Sequence, residues 1–215
     1  MKLLFIDETG ASRDPDFYGV CVVSIDSNHY SSVSDRFRGH IEKSGWNDKH
    51  EFKGKFLFSK KQGDPNITIE ARLTLAGQLL ALNLAGKNAK LRAIFAWGNG
   101  GEKTHSTLVG EALRKLLPVT RNRRGGKHLC SVFADENTRV DHSVLRQSAG
   151  DALAERGYKL VEDVVSLESR SYHVGLCYAD LIGYLAGWVS IEGDVDAAQT
   201  RLLRMETLLA LILKR

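Results

Sequence analysis

The chain opens with a short apolar run that stops abruptly at two acids, and no other stretch constrains the fold as strongly. Leu3 to Ile6 is apolar, Asp7 and Glu8 follow, and Thr9-Gly10 gives the backbone room to turn. A second apolar run, Tyr18 to Ile25, begins after a polar loop. Two such runs around a turn-rich segment predict a hairpin of paired strands. Asp7 is then expected at the end of a buried strand, facing whatever lies there.

Size and composition indicate one ordinary globular domain. The chain has 215 residues, of which 43% are hydrophobic and 26% are charged, and this composition excludes a disordered chain. The length is enough for one well-buried core, so residues 1–215 are expected to form a single domain. The net charge of +4 permits nucleic-acid binding without requiring it.

Cysteine use and hydropathy predict a cytoplasmic protein that does not enter a membrane. The three cysteines are odd in number and lack metal-ligand spacing, which favours buried free thiols in a reducing compartment. Two acids interrupt the first apolar run too early for a signal peptide. The longest apolar segment, Leu176 to Val189, contains Asp180 and is too short to span a bilayer.

Strands and helices alternate after the hairpin. Apolar runs predict strands at 91–97, 129–134 and 160–167, and a strand or an extended excursion at 51–56. Apolar periodicity and end signals predict helices at 26–43, 66–84, 103–117, 141–157, 172–190 and 196–213. Crossover connections then imply a partly parallel sheet with helices on both faces. This mixed α/β pattern is compatible with a ribonuclease H-like sheet, among other layouts. The leucine-rich stripe of the last helix fits packing within the fold or between subunits, which leaves a homodimer open.

Asp180 is the most informative single residue. It lies in VGLCYADLIGYLAGW, a helix that is apolar almost all the way round and is therefore expected to be buried. An ionised carboxylate in such a place is costly unless it is neutralised, paired or bound to a metal. Its neighbours on the same helix face offer no cation. A hydrogen bond from a tyrosine or a backbone amide is the purely structural alternative.

Asp135 repeats the arrangement of Asp7, because the apolar run 129–134 ends in an acid. Ligand sites of open α/β sheets gather outside the carboxyl ends of strands, although a helix cap or a turn is the commoner role of such a residue alone. Carboxylates within roughly 4 Å of one another repel by about 4 kcal/mol per pair at an effective dielectric near 20. Asp7, Asp135 and Asp180 are therefore predicted to hold Mg²⁺ or Mn²⁺, the ions that oxygen-only ligands favour.

Weaker candidates surround these acids. Glu51 and Lys53 share one face of an extended segment; Glu51 is a candidate fourth ligand or catalytic group and Lys53 a phosphate contact, with a solvated strand face as the alternative. His173 is a candidate for proton transfer, with a packing role as the alternative. The most basic loop is a candidate nucleic-acid contact or a solvated charge run, and its basic residues are Arg121, Arg123, Arg124 and Lys127.

Four features taken together resemble the domain-of-unknown-function 3800 family. They are FIDETG at the start, HEFKG around Glu51, the strand-end acid Asp135, and Ser169 followed by GLCYADLIGYLAG. The resemblance covers nearly the whole chain. It implies a ribonuclease H-like fold and metal-dependent nuclease activity, often in phage-defence or mobile-element settings. The residues that occupy the motif positions are Asp7, Glu8, Glu51, Lys53, Asp135 and Asp180.

The chain departs from the family pattern at a few positions. Thr9 stands where the family usually has serine, and Cys177 stands where it usually has glutamine. At the late acid-serine position, Glu168 is the acid before Ser169. None of these departures removes a candidate metal ligand.

The function expected from the sequence is a divalent-metal-dependent nuclease that hydrolyses phosphodiester bonds of RNA or DNA. With two ions about 4 Å apart, one activates water and the other stabilises the leaving oxygen. Glu8, Lys53 and His173 are expected beside the metal ligands or the phosphate. Two alternatives stay open. One is a non-catalytic ribonuclease H-like module that binds nucleic acid or protein, and the other is a metal-dependent phosphatase or transferase acting on a small phosphorylated substrate.

Overall fold

The computed structural model describes residues 1–11, 14–47, 51–59, 62, 64–84, 90–99, 105–120, 128–136, 141–168, 172–191 and 202–204. Its strands are β1 (Lys2–Ala11), β2 (Asp14–Asp26), β3 (Leu91–Asn99), β4 (His128–Asp135), β5 (Tyr158–Leu167) and β6 (Leu202–Arg204). Its helices are α1 (Ser27–Ser44), α2 (Gly54–Phe58), α3 (Ile69–Leu84), α4 (His105–Leu116), α5 (His142–Glu155) and α6 (Val174–Ile191).

The strands form one mixed sheet, in the order β5-β4-β1-β2-β3-β6. Neighbouring strands run antiparallel from β1 through β2 and β3 to β6. They run parallel from β1 through β4 to β5. The predicted antiparallel hairpin and the parallel later strands are therefore confirmed. That residues 1–215 form a single domain stays a prediction.

Helices cover both faces of the sheet because its central strands are apolar on both sides. Leu4 and Ile6 of β1 are buried with residues of α4 and α5. Phe5, which lies between them and points the other way, is buried with residues of α1, α3 and α6. Side chains alternate across a strand, so two separate cores result, one on each face. This is the predicted layer arrangement.

Helix α6 lies close to the sheet because glycines occupy its inner face. A Cβ atom added at Gly175 would lie 2.2 Å from the ring of Phe5, and one at Gly183 would lie 3.3 Å from Cβ of Cys21. These small residues let β1 and β2 pack directly against the helix. The approach carries Asp180 toward Asp7.

Replacing Gly175 with alanine is expected to destabilise the fold. The ring of Phe5 is held by stacking against Tyr30 and Phe133, at centroid distances of 5.9 and 5.1 Å, and moving it away from the new methyl group would disturb both contacts. Overpacking of this kind costs about 1–3 kcal/mol, which thermal unfolding would detect as a loss of several degrees in Tm.

A matched control for that variant is Gly77→Ala. Gly77 is exposed in α3, and a Cβ atom there would meet no atom within 4 Å. Alanine at such a helical position stabilises by about 0.5–1 kcal/mol. Equal melting temperatures for the two variants would contradict the close approach of α6 to β1.

Two predicted elements are wrong in part. At 51–56, where a strand or an extended excursion was considered, residues 51–53 are not in a regular element and α2 begins at Gly54. A strand through this segment would turn the buried Phe52 and Leu57 to opposite faces. The helix predicted at 196–213 is contradicted at Leu202–Arg204, which pairs with β3 as β6. Ladder hydrogen bonds on the open side of β3 outweigh helix propensity at this point. The rest of that predicted helix lies outside the described residues.

The cysteines and the apolar helices were both the subject of predictions from the sequence. Cys21, Cys130 and Cys177 are all buried and free, as predicted. Within the described ranges, no helix combines the length and the apolar character needed to cross a bilayer.

Candidate functional site

Asp7 and Asp135 lie side by side where the parallel ladder between β1 and β4 stops. The last paired residues of that ladder are Ile6 and Ala134, and each is followed by one of the two acids. Strand β4 ends at Asp135, but β1 continues to Ala11 as the partner of β2. The expectation that β1 ends at Asp7 is therefore wrong, because the antiparallel ladder carries the strand onward. The strand that ends at this point is β4, the parallel neighbour of β1.

Both acids point to the face of the sheet that α6 covers. Phe5 and Phe133 lie two residues before them, and these rings stack at 5.1 Å on that face. Since side chains two residues apart in a strand share a face, Asp7 and Asp135 point the same way. Cys21, the partner of Asp7 in β2, belongs to the core on that face. Asp7 is only 8% exposed.

Asp180 comes to the same place from α6. One of its carboxylate oxygens, Oδ2, accepts a hydrogen bond from the backbone amide of Gly54, the first residue of α2. A backbone amide was one of the structural alternatives for this acid. The hydrogen bond satisfies one carboxylate oxygen without neutralising the charge.

The three acids line one small cleft. Its empty space, open solvent included, is about 280 Å³. Lys53 and Phe52 enter from the segment before α2. Among the described residues, the lining consists of Asp7, Phe52, Lys53, Asp135, Leu176, Cys177 and Asp180.

The cleft holds more negative charge than its surroundings neutralise. Burial raises the pKa of Asp7 well above its usual value, and the charges of Asp180 and Asp135 raise it further. Burial also raises the pKa of Asp180, although the Gly54 hydrogen bond opposes this shift. The pKa of Asp135 is raised by burial and held down in part by Lys53. Mutual repulsion of this kind favours a bound cation or a shared proton.

Lys53 is the cation that the described residues supply to the cleft. Its Nζ lies 3.3 Å from Oε1 of Glu51. Burial alone would lower the pKa of Lys53, but Glu51, Asp180 and Asp135 raise it overall. Lys53 is therefore charged and is shared between Glu51 and the acids. Glu51 itself is not among the residues that line the cleft.

Two other predicted residues are placed elsewhere. Glu8 is paired with Val20, which belongs to the core on the opposite face, so its side chain points away from the cleft. Its charge raises the pKa of Asp7, and its backbone amide donates a hydrogen bond of 2.9 Å to Oδ1 of Asp7. Alternation along a strand requires this separation of neighbouring acids. His173 precedes α6, where its carbonyl accepts the amide of Cys177 at 2.9 Å, and it does not line the cleft. Arg121, Arg123, Arg124 and Lys127 lie outside the described residues.

The sequence reasoning missed a polar pair near Glu8. The hydroxyl of Tyr18 and Nδ1 of His105 share a hydrogen bond of 2.7 Å. Burial lowers the pKa of His105 to about 4, so this histidine is neutral at physiological pH. Burial raises the pKa of Tyr18, and Glu8 and Asp7 add to that shift. No spacing rule links positions 18 and 105, because the contact depends on how α4 packs on the sheet.

The cleft has the chemistry that a divalent cation requires, but the arrangement of its acids is incomplete. Carboxylate oxygens and a surplus of negative charge are what Mg²⁺ or Mn²⁺ requires. Among the residues that the structure describes, however, no group of three or more His, Cys, Asp or Glu has the arrangement of a metal-binding group. The acids thus have suitable chemistry but are not drawn together as a complete coordination shell.

Comparison with known proteins shows similarity to solved structures. Neither a family model nor a curated protein matches the chain. The crystal structure of the ribonuclease H2 from Pyrococcus horikoshii OT3 is similar over 89% of this chain and 74% of that chain, with 16% identity and a TM-score of 0.47. The order and directions of this chain's own strands, with helices on both faces, give the ribonuclease H-like α/β fold predicted from the sequence.

Proposed function

We propose that this protein is a Mg²⁺- or Mn²⁺-dependent nuclease that hydrolyses phosphodiester bonds of RNA or DNA. The observation that carries the proposal is the common cleft of Asp7, Asp135 and Asp180. Burial raises the pKa of all three carboxyl groups, and repulsion within the trio adds to the shifts of Asp7 and Asp180. Membership of the domain-of-unknown-function 3800 family, with its phage-defence or mobile-element settings, is part of this proposal and rests on the sequence resemblance.

Each residue of the cleft has a separate task. Asp7, Asp135 and Asp180 would hold the cation, which supplies an activated water and stabilises the leaving oxygen. Lys53 would exchange part of its pairing with Glu51 for the substrate phosphate, since an ammonium group binds phosphate as a point charge. Glu51 would then keep Lys53 oriented, or would serve as a further ligand. The loop with Arg121, Arg123, Arg124 and Lys127 stays a predicted contact to the nucleic-acid backbone.

One observation favours the non-catalytic alternative. Lys53 already reduces the pKa of the acids, so a lysine could balance part of their charge in a module that only binds nucleic acid or protein. The third reading, a phosphatase or transferase, has less support. Without the open solvent at its mouth, the cleft encloses only about 20 Å³, far below the roughly 300–1,000 Å³ of pockets that enclose small molecules.

The test compares substrates, metals and one variant. Labelled single- and double-stranded RNA and DNA, and an RNA–DNA hybrid, are incubated with Mg²⁺, Mn²⁺ or EDTA. We expect cleavage with either metal, none with EDTA, and at least about a tenfold loss in an Asp135→Asn variant. Because that variant is purified in the same way, it excludes a contaminating nuclease.

The alternatives give different results in the same experiment. No cleavage of any polymer, together with a rise of the melting temperature in Mn²⁺, would support the binding module. Hydrolysis of a small phosphate ester but of no polymer would support the phosphatase. If Mn²⁺ changes neither activity nor stability, the three acids do not bind metal and the proposal fails.

A further inference from the structure

We propose that Gly54 is the positioning residue for Asp180. Its amide holds one oxygen of the carboxylate, and its lack of a side chain lets α2 approach α6 closely enough for that hydrogen bond. The consequence for metal binding rests on the proposed function, whereas the positioning itself does not. Neither composition nor motif spacing assigns this role to the glycine.

The hydrogen bond links two elements that are far apart in the sequence. The amide of Gly54 donates to Oδ2 of Asp180 across 126 residues of chain. Gly54 is the first residue of α2, and amides in the first turn of a helix have no partner within the helix. The carboxylate therefore supplies an acceptor that this backbone amide would otherwise lack. This one hydrogen bond therefore satisfies both the amide of Gly54 and one carboxylate oxygen of Asp180.

Close packing explains why the residue at this position is a glycine. A Cβ atom at position 54 would lie 2.9 Å from Cα of Leu181, 3.0 Å from the carbonyl oxygen of Asp180 and 3.1 Å from Cβ of Tyr184. These are atoms of the α6 backbone or atoms bonded directly to it, so no flexible side chain can turn away. A larger residue must push α2 away from α6, and the hydrogen bond would lengthen with it.

The segment that carries Gly54 is anchored on both sides, so the amide is held in place. Before it, Phe52 is 4% exposed and packs against Phe37 and Trp46 at ring distances of 5.2 and 5.7 Å. After it, the buried guanidinium of Arg72 donates to the carbonyl of Phe56 at 2.6 Å. A fixed amide fixes the carboxylate it binds. Partners of this kind orient metal ligands, and their loss typically weakens metal binding about 10–100-fold.

The first test measures the hydrogen bond without metal or substrate. In the wild type, hydrogen exchange should show the amide of Gly54 as protected. Asp180→Ala should reduce that protection by about tenfold, as expected for a bond to a charged group, whereas Asp135→Ala should leave it unchanged. Asp180→Asn should keep most of it, because the asparagine carbonyl still accepts. An unprotected amide in the wild type, or equal losses in both alanine variants, would overturn the proposal.

The second test measures the effect on metal. Gly54→Ala should weaken Mn²⁺ binding, measured by titration calorimetry, by about tenfold or more. The control Gly77→Ala makes the same change where a Cβ atom meets nothing within 4 Å and should leave Mn²⁺ binding unchanged. A lower melting temperature for Gly54→Ala with unaltered Mn²⁺ affinity would show a purely structural role and would refute positioning.

The two proposals fail in distinguishable ways. If the wild type cleaves no nucleic acid but Gly54 is protected through Asp180, the nuclease proposal fails and the positioning of Asp180 stands. If cleavage is found but the exchange of Gly54 does not respond to Asp180→Ala, the nuclease stands and Gly54 has no role in positioning this acid.

Discussion

Asp180→Asn is expected to reduce metal-dependent cleavage by at least about a hundredfold. Removing a residue that only orients a metal ligand typically costs about 10–100-fold, and Asp180 is proposed as a ligand itself. Asparagine has the same shape and still accepts the amide of Gly54, so the contact between α2 and α6 survives. What disappears is one negative charge and one anionic ligand in the cleft. The measurement is the initial rate on the best substrate in Mg²⁺ and in Mn²⁺.

The same variant should not lose stability. Burial and the neighbouring acids raise the pKa of Asp180, which means that its charged form is disfavoured in the folded protein. We therefore expect a melting temperature in EDTA equal to or above that of the wild type. If the variant lost activity because it unfolds, its melting temperature would be lower than that of the wild type.

Asp151→Asn is the matched control for this experiment. Asp151 is exposed on α5, a helix on the face opposite α6. Its replacement removes the same charge from the chain and should leave the cleavage rate within about twofold of the wild type, since exposed substitutions away from a site are nearly neutral. Equal losses of cleavage rate in both variants would mean that the net charge of the protein causes the effect. Full activity in Asp180→Asn would exclude Asp180 as a metal ligand.

Asp7→Asn is expected to stabilise the metal-free protein at neutral pH while abolishing cleavage. The pKa of Asp7 is raised in the folded state above its ordinary 3.8, by burial first and then by Asp180 and Asp135. A group of this kind favours folding below its ordinary pKa, and that contribution is lost as the pH rises through the folded-state pKa. The asparagine variant has no such loss.

The expected result is a pH-dependent difference between two melting curves. At pH near 3 the wild type and Asp7→Asn should melt at similar temperatures. Toward pH 7, in EDTA, the variant should melt a few degrees higher, a shift that about 1 kcal/mol produces in a chain of this length. Mn²⁺ should reverse the order, because a ligand that binds only the folded wild type stabilises it by mass action.

Asp35→Asn controls for charge removal in general, because Asp35 is exposed on α1. This control should show neither the pH-dependent gain nor the reversal by Mn²⁺. A melting temperature of Asp7→Asn below that of the wild type at every pH would mean that the carboxylate of Asp7 is a net stabilising group. The surplus of negative charge in the cleft would then be contradicted.

Local patterns were enough to predict most of the elements. The apolar runs around Phe5, Phe95 and Phe133 are strands, and the almost wholly apolar run around Asp180 is a buried helix. These predictions succeed because burial of a strand or a helix depends on residues close together in the sequence. The same pattern also marked Asp180 as an acid that must have a partner, whatever that partner is.

Predictions failed where a long-range contact decided the outcome. Alternation at 51–56 suggested a strand or an extended excursion, but the chain enters the short helix α2 at Gly54, and Leu57 is buried in the same core as Phe52. The leucine stripe near the end suggested a helix, but Leu202–Arg204 adds to the edge of β3. Propensity is a weak influence compared with a tertiary hydrogen-bond ladder or a buried side chain.

The sequence by itself determined that this chain forms a mixed α/β sheet and that three acids follow or interrupt its most apolar segments. Only the tertiary structure decided which acids meet. The parallel register of β1 and β4 sets Asp7 beside Asp135 and turns Glu8 to the other face. The glycines of α6, and Gly54 in α2, then bring Asp180 to the same cleft. Register and close approach depend on pairs of residues distant in the sequence, so no local pattern contains them.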